Sequence, residues 1–328
     1  MQRRHLLAAL GGLAAPALLP RAGLAQGGAW PGRGSIRLVA QFPPGGLVDT
    51  ISRLLAPPLG QALGQTVVVE NKAGAGGVVG TDFVAKAPAD GYTFLVSHAS
   101  VHVFSTATLP TLPFDPVADF THLGMLVEAP NVLLVKASSP YRTLDQYLEA
   151  ARRTPVRFGS SGIGSAPHLL GVMLGAEAGA RNLDHVPYRG SAPAMQDLMG
   201  GTIESMIDPV TTNVAMLKDG TLRCLGISSP QRLPQLPEVP TFAEGGVRNA
   251  ESYTWHMVFA PAGTPAPVVQ AINAAFNRAA AMESVQRRLS DLTMAVRSDT
   301  TPETAAKWLA DEVAKWEAVI RGAGIAVN

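Results

Sequence analysis

Short apolar runs that end in glycine and pass into helical patterns recur along this chain. Ile36-Arg-Leu-Val-Ala40 is too short for a globular helix and lies between Gly34 and Pro43, which predicts a buried strand. Pro43-Pro44 stops that strand, Gly45-Gly46 frees the backbone, and Asp49 or Thr50 is placed to cap a helix running to about residue 63. Pro57-Pro58 falls inside that helix, where missing N–H groups and ring clashes predict a kink or break near Ala56. The same unit follows at once: a strand over 65–70, the glycine-rich corner Asn71-Lys-Ala-Gly-Ala-Gly-Gly77, and a helix. A third strand over 92–97 delivers the polar corner Ser97-His-Ala-Ser100 to the same edge.

A second series begins with strands predicted over 131–136 and 156–160, separated by a helix over 143–152 with Leu144, Tyr147 and Leu148 on one face. The loop Ser160-Ser-Gly-Ile-Gly-Ser-Ala-Pro-His168 then enters an apolar helix, and His185-Val-Pro-Tyr-Arg-Gly-Ser191 enters another. Strands over 202–207 and 222–228, a proline-rich loop over 229–240, a strand over 253–260 and amphipathic helices over 265–282 and 302–322 complete the chain. Strands alternating with helices predict an α/β fold with a parallel, wound sheet, in which ligands collect beyond the carboxyl ends of the strands. Each such corner exposes N–H groups at a helix N-terminus, where the partial positive charge favours an anion.

With 328 residues, 47% of them hydrophobic and 16% charged, the chain can bury large cores, and its length suggests about two domains. Residues 1–25 have the layout of a cleaved export signal: Arg3-Arg4, an apolar run over 6–19, and a small-residue ending at Ala25. The paired arginines also fit a twin-arginine signal, although ordinary export signals carry two basic residues as well. Without this segment 23 basic residues face 25 acidic ones, a net charge of about −2 that implies no nucleic-acid partner. Cys224 is the only cysteine and lies in an apolar run, so it reads as a small buried residue.

Enzyme motifs were tested against the glycine corners. Gly74-Ala-Gly-Gly-Val-Val-Gly80 has Val79 where a dinucleotide fingerprint needs Gly or Ala, and there is no Walker lysine pattern. Gly159-Ser-Ser-Gly-Ile163 is no nucleophile elbow, because Ile163 occupies the place of the second glycine. His98 and His102 lack the glutamate of a helical zinc motif, and no metal or cofactor is expected. The loops instead offer donors: backbone N–H, Ser and Thr hydroxyls and imidazole N–H.

The motifs Phe42-Pro-Pro-Gly-Gly-Leu-Val-Asp49, Val69-Glu-Asn-Lys-Ala-Gly-Ala-Gly-Gly77, Ala89-Asp-Gly-Tyr92, Leu112-Pro-Phe-Asp115, His185-Val-Pro-Tyr-Arg-Gly-Ser-Ala-Pro193, Pro237-Glu-Val-Pro-Thr241 and Phe259-Ala-Pro-Ala-Gly-Thr-Pro265 together resemble the Bug family. These are periplasmic solute-binding proteins related to the receptor of tripartite tricarboxylate transporters. The resemblance implies a two-lobed periplasmic-binding-protein fold, type II-like, with an interlobe cleft: one lobe from 27–127 plus about 229–328, the other from 128–228. It implies a monomer that binds a small mono-, di- or tricarboxylate and delivers it to membrane transporter subunits. The ligand carboxylate is then expected on the corner Phe42, Pro44, Gly45 and Gly46 and on Ala75 and Gly76, held by N–H groups without an arginine. Asp49 is expected to brace that corner by accepting N–H bonds. The opposite lobe would contribute Ser160, Ser161, Ser165, His168, Tyr188, Gly190 and Asp208, while Ser97 and His98 would help select the ligand. Two rival readings stand beside this one: an exported hydrolase using Ser160 or Ser161 with His168, and a ligand sensor read by a signalling partner.

Overall fold

The computed structural model describes residues 30–32, 34–104 and 111–322; the export-type segment 1–25 lies outside the described residues. Strand β1 (Ile36–Ala40) pairs in parallel with β2 (Val67–Asn71) on one side and β3 (Thr93–His98) on the other. A second parallel trio has the same order, with β5 (Val156–Ser160) between β6 (Leu183–Pro187) and β7 (Ser205–Pro209). Both trios are extended by antiparallel strands, unlike the wholly parallel sheet that the alternation predicts. Strand β9 (Tyr253–Pro261) follows β3, and β4 (Phe120–Lys136) follows β7.

The 17-residue strand β4 belongs to both sheets. Its first part, through Pro130, pairs with β9, and from Asn131 onward it pairs with β7 and with β8 (Leu222–Ile227). The two-residue β10 (Ala295–Val296) also pairs with its first part. Only the portion from residue 131 is legible in the sequence, because Gly124 and Pro130 read as breaks. The strand absorbs them with register shifts between His122 and Gly124 and between Met125 and Val127.

Helix α1 (Leu47–Leu63) is continuous through Pro57 and Pro58, so the chain does not break there. Ile51, Leu55 and Leu59 form its buried stripe, whereas Pro57 is exposed. The carbonyls deprived of a donor, those of Arg53 and Leu54, therefore lie toward the solvent side, where water replaces the lost bonds. Helix α2 (Val78–Ala85) follows β2, and α3 (Leu144–Arg153) begins one residue later than the sequence suggests, with Thr143 as its cap. Helices α4 (Ala166–Ala178), α5 (Ser191–Gly200) and the short α6 (Val214–Lys218) serve the second sheet. Helix α7 (Ala266–Ala281) packs Ile272 and Phe276 with Leu38, Ile51 and Phe94, and α8 (Glu283–Asp291) adds Leu289. The predicted C-terminal stripe falls on α9 (Pro302–Gly322), whose Leu309 and Trp316 cover Val39, Leu95 and Met257.

The later part of the stretch 229–252 packs on the second sheet, while Leu236 and Val239 lie in the core that also holds Leu38 and Leu289. Phe242 lies in one core with Leu144, Tyr147 and Phe158, its amide donates to the Ile227 carbonyl (2.9 Å), and the Arg248 amide donates to Glu177 (2.7 Å). The chain returns to the first sheet at Ser252, beside the point where β4 leaves it. There a buried polar knot joins the crossing strands. The Asn131 amide donates to Ser228 Oγ (2.8 Å), its side-chain Nδ2 to Ser252 Oγ (2.9 Å), and Thr254 Oγ1 donates to Asn131 Oδ1 (3.3 Å). Ser228 Oγ in turn donates to the Ser252 carbonyl. Truncating one member leaves buried partners without a hydrogen bond, which costs about 1–3 kcal/mol. Asn131→Ala is therefore expected to lower stability by that amount in urea titration. A change below roughly 0.5 kcal/mol would show that the knot does not hold the crossing.

Candidate ligand-binding site

In both trios the strand order reverses beside the first strand of the series, β1 and β5, and at such a switch point the following loops part to leave a crevice. The loops after β1, β2 and β3 face those after β5, β6 and β7 across one cleft of about 830 Å³. Helix starts converge on it. Gly46, Leu47 and Val48 open α1, Ala75 and Gly76 precede α2, Ser165 to Pro167 open α4, and Gly190 and Ser191 open α5. The amides of Leu47 and Val48, as the first residues of their helix, have no carbonyl within it to bond. The turn before α2 is held in an unusual conformation, with φ of +44° at Ala75, +65° at Gly76 and +104° at Gly77. A non-glycine residue in the left-handed region costs free energy, and such strain is commonly kept where a loop must present its N–H groups to something.

The first corner is braced from behind. Asp49 sits at the third helical position, not at the cap, and its Oδ2 accepts the Gly45 amide (2.9 Å) while Oδ1 accepts Asn71 Nδ2 (2.9 Å). Arg53 Nε donates to the same carboxylate (2.9 Å) and its Nη2 to Asn71 Oδ1 (3.1 Å). The arginine hydrogen bond, with the Gly45 and Asn71 donors, lowers the Asp49 pKa against the cost of burial. Asp49 thus braces the corner as expected. Because it occupies the Gly45 amide, that amide is removed from the expected cradle, and the free donors shift to Leu47 and Val48.

The expected site residues divide in two. Phe42, Gly46, Ala75, Gly76, His98, Ser161, Ser165 and Gly190 line the cleft. Pro44 and Gly45 do not, and Pro43 lines it in place of Pro44. Ser97 is buried with its hydroxyl donating to Gln41 Oε1 (2.7 Å). Tyr188 does not line the cleft; it is half-buried against the core, its hydroxyl donating to Asp197 (2.7 Å). Asp208 lies buried behind the wall and accepts Ser191 Oγ (2.5 Å), Thr212 Oγ1 (2.6 Å) and Asn213 Nδ2 (2.8 Å), mirroring the role of Asp49. Burial raises its pKa in spite of those donors.

Ser160 and His168 are likewise behind the wall. Ser160 Oγ lies 2.6 Å from His185 Nε2, and His185 stacks on His168 with ring centroids 3.9 Å apart. The Gly164 amide donates to His168 Nδ1 (3.0 Å). Sequence reading missed Thr211 and Thr212 after β7, and Thr254 and His256 on β9, all of which line the cleft. The signal that could have found the β9 pair is the alternation of polar Thr254 and His256 with apolar Trp255 and Met257, which puts both polar side chains on one face of the strand.

No Asp, Glu, Lys or Arg side chain lines the cleft among the described residues. Its titratable members are His98 and His256, both held neutral by burial, His98 near pH 4 and His256 well below the ordinary range. Such a cleft, polar only through amides, hydroxyls and neutral rings, suits a small molecule whose charge is taken by main-chain donors.

The comparison with known proteins fits this geometry. The model of the tripartite tricarboxylate transporter family receptor matches residues 51–325. The chain belongs to that family. The receptor is 35% identical over 292 residues to Protein BugT of Bordetella pertussis, covering 88% of this chain and 89% of that one. A structure of R. palustris Rpa4515 with adipate is 32% identical with a TM-score of 0.79, covering 90% of this chain and 99% of that one. A structure of MatC from Rhodopseudomonas palustris with bound malate is 31% identical with a TM-score of 0.75, covering 88% and 99%.

All six described histidines are held below the ordinary value of 6.5, with burial the first cause in each. A folded pKa below the unfolded one means that the unfolded chain binds more protons in the interval between them. Stability is then full above about pH 6.5 and falls as pH drops through that value. Unfolding at pH 5.5 should take up about five protons per receptor. Calorimetry in two buffers of different ionisation enthalpy measures this uptake, and a flat stability profile from pH 7.5 to 5 would contradict it. Arg53→Ala removes the strongest partner of Asp49 and should loosen the first corner. Its effect on stability is expected to be smaller than that of Asp49→Ala, which also frees the Gly45 amide.

Proposed function

We propose that this receptor captures a small organic carboxylate between its lobes in the periplasm, as a monomer, and hands it to membrane transporter subunits. The observation that carries this reading is the convergence of four helix starts on one cleft that, among the described residues, holds no charged side chain. Helix N-termini and free amides favour an anion, and each charge-assisted hydrogen bond contributes about 1.5–3 kcal/mol. Two or three of them, with burial of the rest of the ligand on closure, suffice for micromolar affinity, which corresponds to about −8 kcal/mol. In this reading the cradle consists of the Leu47 and Val48 amides with the Ala75-Gly76 turn. The malate and adipate held by two similar proteins agree in chemical class.

The lobes are placed at about 30–130 plus 253–322 and at about 131–252, with the polar knot at Asn131, Ser228 and Ser252 as the hinge between them. Residues 1–25 are read as an export signal removed in the mature protein. The hydrolase alternative has one contact in its favour, Ser160 with His185. Both groups are turned from the cleft, no carboxylate is hydrogen-bonded to either His185 or His168 among the described residues, and His185 is held near pH 3 by burial and by the neighbouring ring. The Cys224 thiol is pushed up to about 12 by burial and donates to the Gly226 carbonyl, so it offers no nucleophile either.

Native mass spectrometry of the receptor from its own host should show one small acid bound per chain. Gly46→Val places a branched side chain on the cleft wall beside the Leu47 amide and should abolish that complex while leaving the thermal melt within a few degrees. Retention of the acid by this variant, or conversion of the acid to a product during incubation, would refute the reading.

A further inference from the structure

Ile163 is the most exposed large apolar side chain among the described residues, at 63%, and it lies on the cleft wall of the second lobe. A single exposed isoleucine on an open surface means little. This one stands at the tip of a loop that is fixed from within. The Gly162 amide donates to Ser160 Oγ (3.2 Å), the Gly164 amide to His168 Nδ1 (3.0 Å), and Ser165 Oγ to the Gly162 carbonyl (2.7 Å). The Ser161 carbonyl accepts the Gly190 amide (3.2 Å), which ties the tip to the next corner. Gly162 and Gly164, with φ of +141° and +74°, give the turn its shape on either side of Ile163. The loop spends its polar groups on that shape and holds the isoleucine out into the cleft.

Hydrogen-bond donors are scarce on this wall. Helix α4 opens with Ala166-Pro-His168, where Pro167 has no N–H and the His168 amide donates to Ser165 Oγ (3.3 Å). At the neighbouring corners the hydroxyls of Ser191 and Thr212 donate to Asp208 behind the wall. The first lobe, across the cleft, places half-buried Phe42 and exposed Pro43 just ahead of the free amides of Leu47 and Val48. The anchoring amides and the apolar side chains that adjoin them are thus on one wall, and Ile163 is on the other.

We propose that Ile163 is a specificity-determining residue: on closure it lies against the carbon chain of the ligand, across from Phe42 and Pro43, and selects carboxylates with an apolar chain over those whose chain carries hydroxyls. The proposal rests on the carboxylate-receptor reading above. An apolar chain gains by the area it removes from water against this side chain. A hydroxyl laid against the same side chain gives up its water and finds no partner there. The group at the far end of the chain does not enter, so monocarboxylates and dicarboxylates are both admitted.

The test is isothermal calorimetry of the purified receptor, stripped of bound ligand, with plain acids and dicarboxylates of four, five and six carbons. Malate and galactarate complete the set, because they match succinate and adipate in carbon number and carboxylates and differ only in hydroxyls. Affinity should rise about threefold per methylene up to the length that fits, and adipate should bind at least tenfold tighter than galactarate. Ile163→Ser should cut that preference at least fivefold, and Ile163→Leu should keep it. Both variants should melt with the parent protein, since Ile163 belongs to none of the three cores. Adipate no tighter than galactarate in the parent receptor, or Ile163→Ser shifting both acids equally or neither, overturns the role of Ile163 and leaves the receptor reading standing. Failure of every acid to bind overturns the receptor reading and this role with it.

Discussion

The fold depends on a single strand that belongs to two sheets. Strand β4 is hydrogen-bonded to β9 before Pro130 and to β7 and β8 after it, so both halves of the molecule are built on one continuous backbone. A strand can change partners in this way only if the groups at the change are satisfied by something other than a ladder. Asn131 supplies that substitute, its side chain bonded to Ser252 and Thr254 and its backbone amide to Ser228 Oγ, in a region with almost no contact with water. Thr254 also lines the cleft, and His256 follows two residues later on the same strand. The crossing and the cleft floor are therefore one piece of structure.

Charge is used in this molecule to hold the walls and not to line them. Asp49 accepts from the Gly45 amide behind the first corner, and Asp208 accepts from Ser191, Thr212 and Asn213 behind the opposite one. Each carboxylate fixes a loop whose own amides and hydroxyls face the cleft. The hydroxyls and rings behind the second wall, Ser160, His185 and His168, form a similar brace by stacking and hydrogen bonding. A triad-like composition in sequence thus corresponds to a support in structure, because side-chain proximity alone says nothing about which way a hydroxyl faces.

Much of the α/β architecture was legible in the sequence, since short apolar runs bounded by Gly and Pro have few alternatives to a strand. The glycine corners at 42–46, 74–77 and 160–165 were legible for the same reason, and they line the cleft at Phe42, Gly46, Ala75, Gly76, Ser161 and Ser165. What escaped was long-range. Gly124 and Pro130 hid the first part of β4, because bulges and strand crossing tolerate residues that end an ordinary strand. The prolines of 229–240 mark a loop, and a loop's composition does not say which core receives Phe242. His256 and Thr254 escaped although they alternate with Trp255 and Met257, because a two-residue alternation in an otherwise apolar strand says nothing of which loops that face will meet. Ser97, Tyr188 and Asp208 stood at the right corners and faced the wrong way, a matter of side-chain direction that spacing does not encode.

The amides at the helix starts have one property that no side chain shares: every residue except proline supplies the same N–H. At Leu47 and Val48 the groups that face the cleft survive almost any substitution, provided the helix still begins there. The features that fix where it begins, the Asp49 carboxylate and the backbone turn at Gly45, are set apart from the cleft surface. Sequence drift along the walls can therefore reshape the rest of the cleft without rebuilding the amides proposed to anchor the ligand. A scaffold of this kind is free to diversify its cargo faster than one whose anchor is a single arginine.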